Sequence, residues 1–126
     1  MALTNAGLAF ITEAVIGTGS PLFNNANAYI GVGDSTTPFS VGQTDLQAAT
    51  NKTYKPMYAG YPTIATDTLV FQATFGTSDA NYAWNEWAVF NAATSGVMLN
   101  RKVESLGTKS ATQIWVLTVT LTLATP

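Results

Sequence analysis

TQIWVLTVTLTL, residues Thr112 to Leu123, carries the most regular pattern in the chain. Trp115, Leu117, Val119, Leu121 and Leu123 fall on one side of an extended backbone. Thr118, Thr120 and Thr122 fall on the other. Successive side chains of a strand point to opposite faces, so alternation of this length predicts a strand with one face in a core. The threonine face then meets water or a neighbouring molecule.

Three more strands are expected upstream of it. TLVFQATFG (Thr68 to Gly76) sets Leu69, Phe71, Ala73 and Phe75 against Val70, Gln72 and Thr74. AWNEWAVFN and VMLNRKVES read as two strands joined by the five-residue loop AATSG. With the final strand they suggest an antiparallel meander. Earlier, AYIGVG (Ala28 to Gly33) reads as a short strand, and TDLQAAT (Thr44 to Thr50) as a short helix capped by Thr44. KTYKPMYAGYP looks extended, but Pro56 has no N–H to give a ladder, which places it at an edge or a bulge. At the start, LTNAGLAFITEAVIG predicts an amphipathic helix. Thr4 or Asn5 would cap it, Leu8, Ile11 and Val15 would line its apolar face, and Gly17 and Gly19 would end it. The expected fold is mainly β: an antiparallel β-sandwich or small open barrel with one N-terminal α-helix, forming a single domain over residues 1–126.

Composition narrows the function. The chain has 126 residues, of which 47% are apolar and only 10% charged, with a net charge of −2. The charged share is well below the usual ~25%, so Thr, Ser and Asn must finish the surface. Five basic residues, four of them in two short pairs, make no footprint for nucleic acid. No cysteine and no histidine is present, which excludes disulfides, thiol nucleophiles, histidine bases and zinc sites of the usual kind. No run reaches the length of a membrane-spanning helix. The N-terminus lacks a basic region and carries Glu13 within its apolar stretch, unlike a secretory signal. The chain is expected to stay in the cytoplasm where it is made, or to leave it within a larger particle.

The residue most suggestive of chemistry is Glu86, in NYAWNEWAVFN, with Trp84 and Trp87 on either side. Acid–base work on a sugar needs two carboxylates facing one site, and Asp79 or Glu104 could supply the second. A five-residue loop between Asn91 and Val97 would set Glu86 opposite Lys102, Trp87 opposite Arg101 and Glu104 opposite Trp84. The expectation is therefore a structural ion pair between Glu86 and Lys102, with Trp84 and Glu86 on one face and Trp87 on the other. GVGD (Gly31 to Asp34) lacks the third glycine and the Lys-Ser/Thr of a phosphate loop, and reads as a strand end where backbones approach closely. The acids make no calcium loop. No catalytic, cofactor-binding or metal-binding residue is expected. The aromatic residues are expected mostly in the core, with a carbohydrate platform as a lesser alternative.

ALTNAGLAFITEAV, AYIGVGDSTTPF and FQATFGTSDANYAWNEWAVFNAATSGVMLNRKVESLGTK, followed by a Thr/Val-rich strand, resemble a family of small virion proteins of tailed bacteriophages. The opening LTNAG helix is also similar to the N-terminal module of phage tail-collar fibre proteins. The resemblance implies a structural protein without enzyme activity, located in the virion. It implies a capsid decoration, or cement, protein that binds the head, often as a trimer, and bridges major capsid subunits. The alternative is a tail component such as a fibre-attachment or baseplate piece. Length favours the head, since the chain stops at Pro126 directly after its last strand. The expected partners are further copies of the chain, and the major capsid protein or tail proteins. Expected contact residues are Leu3 and Thr4 in the N-terminal arm, Tyr54, Pro56, Tyr58 and Tyr61 in the edge segment, and Thr118, Thr120 and Thr122.

Overall fold

The computed structural model describes residues 2–123. Trp115–Thr122 is the strand the alternation predicts (β8), and it pairs antiparallel with Thr68–Phe75 (β5). The register sets Leu69 opposite Leu121, Phe71 opposite Val119 and Phe75 opposite Trp115, so the inner faces of both strands coincide. Phe71, Ala73, Phe75, Val119 and Leu121 are buried, while Val116, Thr118, Thr120 and Thr122 are exposed. Thr63–Ala65 (β4) pairs with the other side of β5, completing a three-stranded sheet in the order β4-β5-β8.

The second sheet holds Ala2–Leu3 (β1), Tyr29–Gly33 (β2), Lys52–Pro56 (β3), Ala83–Phe90 (β6) and Met98–Thr108 (β7), in the order β1-β7-β6-β2-β3. Its ladders are antiparallel, and neither sheet closes on itself. One apolar cluster draws on both sheets, including Ile30, Val32, Trp87 and Val89 from the larger and Phe71, Phe75, Val119 and Leu121 from the smaller. The result is a β-sandwich.

The expected meander does not form. β5 and β8 pair with each other, while the hairpin between them, β6 and β7, belongs to the opposite sheet. The reason lies in β6. Every residue from Glu86 to Phe90 is buried, so this strand needs cover on both faces. It finds that cover between β7 and β2 in the larger sheet, with the smaller sheet on one side and Leu46 with its loop on the other. β5 and β8, with one apolar face each, suit the thinner outer layer. Pro56 ends β3, which is an edge strand as its proline demands.

Asn5–Val15 forms the one helix among the described residues (α1), capped by Thr4. The Thr4 hydroxyl accepts the Gly7 N–H at 2.9 Å and donates to the Met98 carbonyl. The buried side of the helix differs from the expected Leu8–Ile11–Val15 face. Gly7 and Phe10 are buried, whereas Leu8 is 51% and Val15 81% exposed. Gly7 decides this. A Cβ there would overlap the carbonyl of Leu99, so only glycine lets the helix lie directly on the β7 backbone. Phe10, packed edge-on against Phe23, follows on the same side.

Candidate functional site

Glu86 and Arg101 form the most polar point in the interior. The side chains of both are fully enclosed, with Arg101 Nε 2.8 Å from Glu86 Oε1. This corrects the expected pairing. Lys102 is half-exposed and lies 3.7 Å from Glu104, and Glu86 stands opposite Val103. The register of the β6–β7 hairpin shifts twice, between Val89 and Phe90 and again between Trp84 and Glu86. The first shift moves every β7 partner by one residue from the position that loop length alone dictates, which carries Arg101 to the Glu86 face. Asn100 marks it. Its Oδ1 takes the Val89 N–H at 3.2 Å where the ladder slips.

The second shift redistributes the tryptophans. Trp84 packs edge-on against Phe75 and Trp115 and shares the sandwich core with Trp87. Glu86 faces the opposite way. The two rings thus lie on one side of the sheet and the carboxylate on the other. The Trp87 Nε1–H donates to Glu104 at 2.9 Å.

What surrounds Glu86 is backbone. The Gln47 N–H reaches Oε1 at 2.8 Å, and the Ala48 N–H reaches Oε2 at 2.9 Å. Those donors come from the segment expected to be a helix over residues 44–50, which is instead irregular. A helix would spend these N–H groups differently. Here a buried carboxylate takes them, and Asp45 fixes the turn by accepting the Leu46 N–H at 2.8 Å. Gly33 completes the cradle, since a Cβ on it would overlap Glu86 Oε2. The Gly31 and Gly33 spacing therefore serves close packing, as the sequence suggests, with Gly31 lying under Phe90, Leu46 and Tyr54.

The other ionisable groups are similarly engaged. Asp79 accepts the Gly76 N–H at 2.9 Å and lies 3.2 Å from Lys55 Nζ. The Gly76 N–H, aided by Lys55, holds its carboxyl below the usual range against the opposing effect of burial. Lys109 is buried, and its ammonium donates to the Gly76 carbonyl at 2.6 Å and to Asn81 Oδ1 at 2.8 Å. Burial, then the hydrogen bond to Asp45, pushes the Tyr54 phenol far up; burial also raises Tyr82. Asp79, Glu86 and Glu104 thus have separate partners. Among the described residues no three potential metal ligands gather.

The surface of the described residues also carries a cleft and a groove. A cleft of about 540 Å³ is lined by Asp45, Lys52, Tyr54, Phe90 and the Ala92–Gly96 loop. An apolar groove of about 360 Å³ is lined by Trp84, Leu106, Ile114, Trp115, Val116 and Leu117.

The residues expected to contact partners divide into two sets. Thr4 is buried as the helix cap, and Leu3 is tied into β1 opposite Asn100, so the N-terminal arm docks on its own chain. Tyr54 and Tyr61 are half-buried, with Tyr54 stacked edge-on against Phe90. Pro56, Tyr58, Thr118, Thr120 and Thr122 are exposed. Asn91, Asn100, Arg101 and Lys109 are interior polar groups that sequence reasoning misses. The one available signal is Asn100, a polar interruption in VMLNR that marks the bulge.

Exposed chemistry is unevenly distributed. β4, β5 and β8 contain no Asp, Glu, Lys or Arg. The outer face of this sheet presents Thr68, Val70, Gln72 and Thr74 beside Val116, Thr118, Thr120 and Thr122. Gln72 Nε2 donates to Thr118 at 3.1 Å, and Thr68 and Thr122 share a hydrogen bond across the strands. Comparison with protein-family models, with curated proteins and with solved structures finds no match to this chain.

Proposed function

We propose that this chain is a structural protein of a tailed-bacteriophage virion, a decoration protein that binds the head and stabilises it. The observation that supports this best is the uncharged outer face of the three-stranded sheet. Burying such a face against a fixed lattice removes hydroxyls, one amide and methyl groups from water, and no ion. Its hydroxyls can exchange water for partner hydrogen bonds, and many copies on one particle make modest contacts sufficient. The interior acid supports the same reading. Glu86, the first candidate for catalysis, is enclosed and occupied by Arg101 and backbone N–H groups.

The tail placement rests on the LTNAG opening, whose helix here lies against β7 with Leu8, Val15 and Ile16 exposed. Co-sedimentation of the purified chain with isolated heads and isolated tails tests both placements. Saturable binding to heads, weakened by Gln72→Lys on the neutral face, is expected. Heads lacking the protein should also burst at a lower temperature. Binding to tails alone would move the assignment to the tail, and binding to neither would refute the virion role.

A further inference from the structure

The sandwich has four sheet edges, and three of them are blunted. β1 is two residues long. β4 is three residues long and follows Pro62. β3 carries Lys52, Lys55 and Pro56. Short strands, lysine and proline are the devices that keep an edge from pairing with another chain. β8 has none of them. It runs for eight residues without a charge or a proline, and among the described residues no strand pairs with its outer side.

The direction of its free groups follows from the ladder. Leu123 N–H donates to the Asp67 carbonyl at 2.8 Å, continuing the β5–β8 register. Hydrogen-bonded pairs recur at every second residue, so the odd-numbered residues of β8 bond to β5. The N–H and C=O groups of Val116, Thr118, Thr120 and Thr122 therefore point away from the sheet. Among the described residues, no backbone hydrogen bond outside the strand ladders involves any of them.

We propose that this edge pairs with the same edge of a second copy, antiparallel and about a two-fold axis at Val119. In that register Thr118 meets Thr120 of the second copy, and Val116 meets Thr122. Every outward N–H and C=O of these four residues then finds a partner in both chains. The alternation is preserved across the axis: threonine meets threonine or valine on the outer face, and Leu117 meets Leu121 on the inner face. A self-pairing edge must tolerate its own charges, and β8 has none to repel. The register also covers exposed apolar surface. Leu123 of the second copy falls opposite Trp115, at the groove lined by Leu106, Ile114 and Val116. The two small sheets become one continuous six-stranded sheet with a single neutral face. This pairing is independent of the virion reading and gives a two-fold dimer where the family resemblance implies a trimer.

Sedimentation velocity on the purified chain over a range of concentrations tests it, free of any head or tail. A reversible species of twice the 13.3 kDa chain mass is expected. Amide exchange at Val116, Thr118, Thr120 and Thr122 should slow as concentration rises, while the β6–β7 amides do not change. The double variant Thr118→Lys/Thr120→Lys brings four ammonium groups together at the axis and should raise the dimer dissociation constant roughly tenfold or more, with partial recovery in high salt. Because the chain has no cysteine, Thr118→Cys mixed with Thr120→Cys should give the mixed disulfide in preference to either homodimer. A monomer at all concentrations, a trimer, a dimer indifferent to the lysines, or concentration-independent exchange at these four amides would each overturn the proposal. The exchange experiment uses the unaltered protein, so a misfolded variant cannot rescue it. Loss of head binding with the dimer intact would count against the virion role alone.

Discussion

Removing Glu86 should harm the fold more than removing Arg101, although the two form one ion pair. Breaking a buried pair strands its other member, at a cost of about 3–5 kcal/mol. The two members are not equally provided for. Without Arg101, Glu86 keeps the Gln47 and Ala48 N–H groups at 2.8 and 2.9 Å, and a longer contact from Ser35 at 3.4 Å. Backbone donors of this kind stabilise a carboxylate well. Without Glu86, Arg101 keeps, among the described residues, only the Gln43 amide oxygen at 3.1 Å, and its Nη2 already has no partner there. Glu86→Ala also strands the two loop N–H groups, each worth about 1–3 kcal/mol when buried unpaired. Arg101→Met should therefore cost about 3 kcal/mol, at the low end of the range, and Glu86→Ala roughly 5 kcal/mol or more. For a domain of this length those costs correspond to falls in Tm of about 10 °C and about 20 °C. Urea titrations followed by tryptophan fluorescence and far-UV circular dichroism measure both. The double variant Glu86→Leu/Arg101→Met should be more stable than Glu86→Leu alone, because it leaves no charge buried without a counterion. An Arg101→Met protein no more stable than Glu86→Ala, or both within about 1 kcal/mol of the parent, would refute the account of the cradle.

Two further predictions follow from local geometry. Asp79 has a folded-state pKa below its unfolded value of 3.8, so its contribution is complete above that pH and is lost as pH falls through the folded value; Asp79→Asn should flatten the stability profile in that acid window, read by urea midpoints from pH 5 downward. Gly7→Ala would gain about 1 kcal/mol of helix propensity in isolation, yet its Cβ meets the Leu99 carbonyl, so the protein should lose stability and show faster amide exchange in the helix; a stabilised variant would mean that the helix does not lie on β7 as described.

The final strand is legible in the sequence because one signal decides it. Its inner residues are apolar and its outer residues are mainly threonine. The β6–β7 hairpin is not legible in the same way. Counting across the AATSG loop assumes an unbroken ladder, and the side chain of Asn100 substitutes for a ladder group partway along. A slip of one residue exchanges Lys102 for Arg101 as the partner of Glu86, and so exchanges a surface pair for an interior one. The helix shows a different limit. Periodicity selects Leu8 and Val15 as its apolar face, but closeness of approach selects Gly7, and a residue without a side chain carries no weight in a hydrophobic pattern. The 44–50 segment fails for a related reason. Its capping residues fit a helix, while the acceptor that organises it lies 38 residues further on, at Glu86.

The distribution of charge connects these points. A chain with so few ionisable groups places three of them, Glu86, Arg101 and Lys109, in the interior, where each costs desolvation. The same chain leaves an entire three-stranded sheet without one, although the outer residues of β8 are exposed and charge there would cost almost nothing. Solubility alone argues for the reverse arrangement, since charged surfaces and guarded edges keep sandwiches apart. The interior charges have a structural explanation. Glu86 pins an irregular loop to β6, and Lys109 ties the β7–β8 turn to Gly76 and Asn81. The neutral sheet has no such explanation within the monomer. β8 carries both an exposed uncharged face and an open uncharged edge, and these are the surfaces that the proposed self-pairing and the proposed docking on a larger partner would cover.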